Sequence, residues 1–276
     1  MRDMEGLLNK VADLAVKAGS IMLSDSDVEV GNKGTKENYV TSTDLKVQRF
    51  LREGLATLLP GAVFRGEEDD LPREDEGTRG EYVWIVDPID GTANYARGFG
   101  ESAVSIALAK DDEPVLGVVR NPYARETYCA IKGRGAFLNG TPIHVSGRSK
   151  ENAMICLSWS AYDKSRSADC FRISQDLYAV CEDIRRTGSA AYELCLLARG
   201  SVDMHFEIRL APWDYAAGGL IIEEAGGRTG SLEGKLDMRR QCLVMAANSE
   251  KNFAFLKGVV SENLSRRRCL APVHVS

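Results

Sequence analysis

The chain has 276 residues, 44% of them hydrophobic, enough to bury a large core in one domain or two fused layers. A net charge of −5 and a pI near 5.4 argue against nucleic acid as the main ligand. No run approaches the roughly 18 apolar residues of a membrane span, and the acidic residues 1–5 lack a signal peptide's apolar core, so a cytoplasmic protein is expected.

Helical spacing of apolar residues predicts a first helix over residues 5–23. Residues 28–40 carry Gly31, Gly34 and several charges and read as a loop or loose hairpin. A second helix is expected over 43–59, with Val47, Phe50, Leu51, Leu55 and Leu58 inward and Pro60-Gly61 ending it. Residues 82–86 form an apolar run read as a buried strand that ends at Asp87. Strands then follow at 103–110, 114–121 and 126–132, with Asn139-Gly140 signalling a hairpin between 136–138 and 142–145. The second half alternates: strand 153–158, helix 166–182, strand 184–187, helix 190–199, strand 202–207, helix 212–224 and strand 242–247. This order predicts an N-terminal α+β subdomain over 1–145, a C-terminal α/β subdomain over 146–260, and a tail, 261–276, that can stay disordered. Seven scattered cysteines, none in a Cys-x-x-Cys pair, fit reduced thiols and no zinc site. His144, His205 and His274 read as structural or surface residues, so no histidine-based triad is expected.

Asp87-Pro88-Ile89-Asp90-Gly91-Thr92 carries the chemistry. Two carboxylates three residues apart can converge where a strand turns, with the Ile89 carbonyl between them. All-oxygen ligation of this kind suits a hard cation such as Mg²⁺ better than zinc. Backbone N–H groups at Gly91 and Thr92 can hold a phosphate oxygen if a helix or tight turn starts there. An Asp-Gly dipeptide alone is ordinary turn chemistry.

Trp84 through Thr92 resembles, complete, the signature of the inositol monophosphatase family of sugar, polyol and nucleotide phosphatases. The resemblance implies a layered α-β-α-β-α sandwich and runs over about residues 5–258. Four further segments are similar to the family's pattern. Asp44, read alone an acid at a helix start, takes the place of the acid that partners Thr92. Glu67, in Gly66-Glu67-Glu68, matches the glutamate that bridges metals and contacts the attacking water, with Glu68 behind it. Trp213-Asp214-Tyr215-Ala216-Ala217-Gly218 is similar to the second signature, whose aspartate completes the second metal site. The resemblance also sets backbone groups at Gly188, Ser189 and Ala190 and the carboxylate of Glu207 against the substrate hydroxyls, with a surface salt bridge as the alternative for Glu207.

Asp87, Asp90, Asp214 and Glu67 bring about four negative charges together, and two such charges 4 Å apart repel by about 4 kcal/mol at an effective dielectric near 20. Cations resolve this. The resemblance implies two or three Mg²⁺: one at Glu67, Asp87 and the Ile89 carbonyl, activating water, and one at Asp87, Asp90 and Asp214, stabilising the leaving oxygen. Thr92 and Asp44 would orient the water, while Asp90, Gly91 and Thr92 face the substrate. Lys33 matches a lysine of the family's mobile loop. Arg97-Gly98-Phe99-Gly100 and Asn38 depart from the family pattern, and the first puts the substrate in question.

The expected activity is Mg²⁺-dependent hydrolysis of inositol monophosphate or a similar polyol ester. Fructose-1,6-bisphosphate and histidinol phosphate stand as alternatives, and a regulatory protein of the transcription machinery as one from another class. The resemblance further implies a homodimer and lithium inhibition.

Overall fold

The computed structural model describes residues 3–26, 28–33, 39–69, 82–159 and 164–265. In chain order it comprises α1 (Met4–Ser24), β1 (Val30–Asn32), β2 (Tyr39–Thr41), α2 (Ser42–Leu58), β3 (Val63–Gly66), β4 (Tyr82–Asp90), α3 (Thr92–Ala96), β5 (Ala103–Lys110), β6 (Glu113–Asn121), β7 (Glu126–Ile131), β8 (Ala136–Leu138) and β9 (Thr141–Ile143). A 3₁₀ turn at Lys150–Asn152 leads into β10 (Met154–Ser158), α4 (Ser167–Tyr178), β11 (Asp183–Arg185), α5 (Ala190–Ala198), β12 (Met204–Leu210), α6 (Pro212–Glu224), β13 (Arg228–Gly230), β14 (Cys242–Ala247) and α7 (Glu250–Ser265).

Two sheets organise the molecule. The first runs β3-β4-β5-β6-β7-β8-β9, antiparallel except for the parallel pair β3–β4. The second runs β11-β10-β12-β14-β13, with β10 parallel to β11 and β12. Side chains alternate along each strand, so each sheet has two apolar faces to cover. Trp84 and Val86 of β4 face α1 and α2, packing with Val11, Ala15, Val47 and Leu51. Val83 and Ile85 point the other way, into a core shared by α5, α6 and the inner face of the second sheet. The outer face of that sheet, with Ile155, Met204 and Phe206, is covered by Ile173 and Leu177 of α4 and Leu256 and Val260 of α7. The layers are therefore α-β-α-β-α.

The central helix α6 is held at both ends and along its flank. Pro212 opens it, where a missing N–H costs nothing. At its far end Glu224 accepts from three successive backbone N–H groups, Gly133, Arg134 and Gly135, at 2.7–3.0 Å. Between the ends, a Cβ on Gly117 of β6 would lie 2.9 Å from the Ala217 carbonyl oxygen, and one on Gly218 would lie 2.8 Å from the Leu194 Cβ.

The structure differs from the sequence expectations at four places. Strand β4 continues through Asp90, pairing Asp87 with Ser105 and Asp90 with Ala103 around a register irregularity, because the chain bulges and then resumes pairing. Strand β3, absent from the expected elements, ends in Arg65-Gly66 beside Ile85-Val86. Strand β13 pairs with β14. Helix α7 was not foreseen, and it runs through Ser265, so residues 261–265 are helical and not part of a tail; 266–276 lie outside the described residues, as do Asn38 and the acidic run from Asp70 to Glu76. Six cysteines, Cys129, Cys156, Cys170, Cys181, Cys195 and Cys242, are free, and Cys269 lies outside the described residues.

Gly117→Ala should push the added methyl against backbone and not a yielding side chain, moving α6 off the sheet. Urea unfolding is expected to show a loss of about 1–3 kcal/mol; an unchanged midpoint would show that β6 and α6 have slack the packing does not suggest.

Candidate active site

The irregularity at the end of β4 turns Asp87 and Asp90 toward one side of the sheet. Asp87 Oδ1 accepts from the Ile89 N–H at 2.9 Å, which tightens the bulge. Asp90 lies at the N-terminus of α5 and accepts from Ser189 Oγ at 2.5 Å, Ala190 N at 3.2 Å and Ala191 N at 2.8 Å. Asp214, in the first turn of α6, reaches back to the Ala211 N–H at 2.8 Å. Ligand oxygens of Asp87, Asp90 and Asp214 all lie within 4.8 Å of one another. Glu67 follows β3 and is tied to β4 by its N–H donating to the Val86 carbonyl at 3.0 Å.

These groups, with Ile89, Gly91, Thr92, Gly188, Ala190 and Glu207, line one cleft of about 180 Å³. A larger hollow, about 610 Å³, lies along α6 beside Leu220, Leu236 and Met238. Its acids are already engaged, Glu113 by Lys132 and Lys235 and Glu223 by Thr229, so the smaller cleft is where charge is left to act.

The carboxylates resist ionising. Burial raises the Asp87 pKa well above the usual range, and the charges of Glu67, Asp90 and Asp214 raise it further. Asp214 is raised by burial and then by Asp90 and Glu67. Asp90 is pushed up to about 7 by burial, against the opposing hydrogen bonds from Ser189 and Ala191. Glu207, buried on β12, is raised by burial and then by Glu193, Asp214 and Asp90. Lys33 offsets part of this: its Nζ lies 3.0 Å from Glu67 and 2.5 Å from Glu68. Burial opposes the Lys33 charge, but the two glutamates outweigh it and raise its pKa. Glu68, behind Glu67, is pushed up to about 7 by burial and by Glu67.

Asp44 sits behind this wall, fully buried at the third position of α2, where it accepts from the Thr41 N–H at 2.7 Å and from the Thr41 hydroxyl. Burial pushes it up to about 6 despite those bonds. The Thr92 hydroxyl is 3.2 Å from Asp44 Oδ1 and 3.0 Å from the Ile89 carbonyl, so its single proton is shared between two acceptors. Gly91, at φ +86°, makes the turn that starts α3.

Thus the structure brings together Glu67, Asp87, Ile89, Asp90, Asp214 and Glu207 around one cleft, with Asp44 joined through Thr92. Ser189 does not line it: the side chain is fully buried and its hydroxyl donates to Asp90. Sequence reasoning passed over Tyr39, Ser158, Trp159, Arg186 and Arg209, which line the outer cleft. It also passed over Glu193, although a lone acid in the apolar run Ala190–Ala198 is a visible signal of a buried, engaged carboxylate.

The donor set fits a hard divalent cation: it is all oxygen, several-fold anionic and gathered within sharing distance. A profile of the inositol monophosphatase family, whose members are metal-dependent phosphoric monoester hydrolases, matches residues 3–264. The chain belongs to this family. It is 35% identical over 258 residues to an inositol-1-monophosphatase of Mesorhizobium japonicum, covering 92% of this chain and 96% of that one. It is 32% identical over 261 residues to the Nus factor SuhB of Vibrio cholerae, covering 93% and 96%. Among solved structures, the extragenic suppressor protein suhB of Bartonella henselae superposes with a TM-score of 0.84 at 31% identity, covering 93% of this chain and 99% of that one.

The raised carboxylates set a pH dependence. An Asp near 3.9 when unfolded and near 7 when folded contributes stability that is complete below about pH 4 and is lost as pH rises through the folded value. In chelator, the melting temperature should therefore fall between about pH 5 and 8, and Mg²⁺ should raise it more at pH 8 than at pH 6. A Mg²⁺-induced shift that is equal at both values would show that these acids do not exchange protons for metal.

Proposed function

We propose that this chain hydrolyses a small polyol phosphate, most simply inositol monophosphate, with Mg²⁺ held in the cleft at the end of β4. The observation that carries this reading is the convergence of Asp87, Asp90 and Asp214 to within 4.8 Å, beside Glu67 in the same cleft. When bound, the divalent cations neutralise the carboxylates, acidify a water and stabilise the departing ester oxygen.

The chain's own residues supply the rest. Glu67, Asp87 and the Ile89 carbonyl would hold one ion, and Asp87, Asp90 and Asp214 a second. Thr92, its hydroxyl fixed between Asp44 and the Ile89 carbonyl, orients the attacking water, and Asp44 is placed to receive a proton through it. Backbone N–H groups of Gly91 and Thr92 face the phosphate. Glu207 and the backbone at Gly188–Ala190 form the wall that meets the substrate hydroxyls, with Asp90 at the boundary of both halves. Lithium sensitivity, a homodimer and a cytoplasmic location belong to the same reading.

Similarity to proteins named as Nus factors supports a second reading, a scaffold in the transcription machinery. The two separate cleanly. Asp90→Asn should lower turnover by roughly 10²–10³-fold or more while the protein stays folded, and would leave a scaffold role intact.

Thr92→Ala should cost about 10²–10⁴-fold in kcat, with Thr92→Ser keeping most activity because the hydroxyl survives. A panel of phosphate esters assayed with Mg²⁺, with and without chelator, ranks the substrate; turnover that persists in chelator would defeat the metal-dependent reading.

A further inference from the structure

Glu193 is the only charged residue of α5, and its side chain is wholly buried. Burying a carboxylate costs several kcal/mol unless its lone pairs are filled, so where its bonds go shows what it is for. Oε1 accepts from the Thr187 N–H at 2.7 Å, the Thr187 hydroxyl at 3.0 Å and the Gly188 N–H at 3.2 Å. Oε2 accepts from the Ser158 hydroxyl at 3.2 Å and lies 3.3 Å from His205 Nδ1. Burial opposes ionisation, but His205 and the two backbone N–H groups outweigh it and hold the carboxyl below its usual range.

The residues it grips share a location. Ser158 and Gly188 line the cleft, and Ser158 pairs across the sheet with Glu207, which lines it too. The turn at 187–188 is also held from its other side, where the Asn94 amide donates to the Thr187 carbonyl at 2.8 Å and to the Glu101 carbonyl at 2.7 Å. Gly188, at φ +86°, takes a left-handed conformation that glycine adopts freely and that a side chain would strain, so the turn depends on glycine here. One buried carboxylate therefore joins the end of β10 to the turn before α5, two segments with no backbone continuity that form one wall.

We propose that Glu193 is a positioning residue that fixes the Ser158–Gly188 wall of the cleft, and so sets selectivity for the hydroxyl-bearing alcohol half of the ester. This rests on the reading above that the wall meets polyol hydroxyls. The residues proposed to hold metal and phosphate hang from β3, β4 and α6; Asp90 meets this wall through Ser189, Ala190 and Ala191, contacts that Glu193 does not make, so the effect falls mainly on the alcohol.

The test compares inositol 1-phosphate with p-nitrophenyl phosphate, which lacks the hydroxyls, in wild type, Glu193→Ala, Glu193→Asp and Glu193→Gln. Mg²⁺ affinity is measured alongside by titration calorimetry. Glu193→Ala should raise KM for the polyol ester about 10–100-fold. Its kcat, both constants for the aryl ester and the Mg²⁺ affinity should stay within about threefold of wild type. Glu193→Gln keeps an acceptor for Thr187 and Gly188 and should restore most of the loss; Glu193→Asp, a methylene short, should not. If Glu193→Ala does not fold, the Gln and Asp variants carry the comparison. Equal losses on both esters, weakened Mg²⁺ binding, or a lowered melting temperature with unchanged KM would each overturn the proposal. A wild type with no preference for the polyol ester removes the reading of the wall and the proposal with it. A wild-type preference that every variant keeps overturns the role of Glu193 alone.

Discussion

The mutual repulsion of acids packed where water cannot screen them is the constraint on which the centre of this molecule turns. Asp87 is its focus. Asp90 is supported by the N–H groups that open α5, and Asp214 by the N–H of Ala211. Asp87 has one N–H, from Ile89, and three charged neighbours that raise its pKa after burial. Helix dipoles and caps can carry the outer acids, but no local device is left for the one in the middle. Its ionisation therefore depends on a positive charge arriving from outside the chain, or on Glu67 and its Lys33 partner shifting to accommodate it.

Holding acids against their own repulsion requires a stiff frame, and the layering supplies it. Strand β4 is buried on both faces, between α1 and α2 on one side and α5 and α6 on the other. Helix α6 has no solvent-facing apolar stripe because both sheets and α5 surround it, and it reads as hydrophobic almost all round. A helix in that setting cannot be placed by amphipathicity. Close backbone approach at Gly117, side-chain interlock at Gly218 and the cradle of N–H groups around Glu224 fix its position instead. Asp214 inherits its place from these contacts, some of them far from the cleft.

This division explains what the sequence disclosed. Short, contiguous stretches whose residue types are each needed for local geometry were legible: the run from Trp84 to Thr92, and Trp213 to Gly218. Helices α1 and α2 were legible because each lies on the outside of a sheet with one apolar face. Helix α7 was missed because its buried face includes Asn252 and Asn263, which read as polar interruptions but bond to Asn248 and Asp176 inside the fold. Strand β3 was missed because Arg65-Gly66-Glu67-Glu68 has a loop's composition, and only pairing with β4 makes it extended. Ser189 was expected at the substrate through its backbone; the use of its side chain was not legible, because that is set by the acid it meets, Asp90, ninety-nine residues earlier in the chain.

The cleft's two walls come from different sheets, and this has a consequence for how such a site can change. The acids that gather at Asp87 hang from β3, β4 and α6. The opposite wall, with Ser158, Gly188, Glu207 and Arg209, hangs from β10, β12 and the turn before α5. Substitution on the second wall alters what the cleft admits and reaches the charges that need a cation mainly through Asp90, which the start of α5 holds. Substitution on the first changes those charges, and with them the stability of the whole centre. Arg97-Gly98-Phe99-Gly100 lies after α3, on neither wall, so its departure from the family's pattern bears on substrate choice indirectly, through Asn94, whose carbonyl accepts from the Phe99 N–H, and through Arg97, which donates to the hydroxyl of Tyr39 in the cleft lining. Asn94 joins the two systems: it belongs to α3, the helix that Thr92 opens just after Asp90, yet its amide holds the Thr187 carbonyl of the other wall. Coupling between chemistry and selectivity therefore runs through the turn that Asn94 and Glu193 grip from opposite sides and through the start of α5, where Ser189, Ala190 and Ala191 hold Asp90.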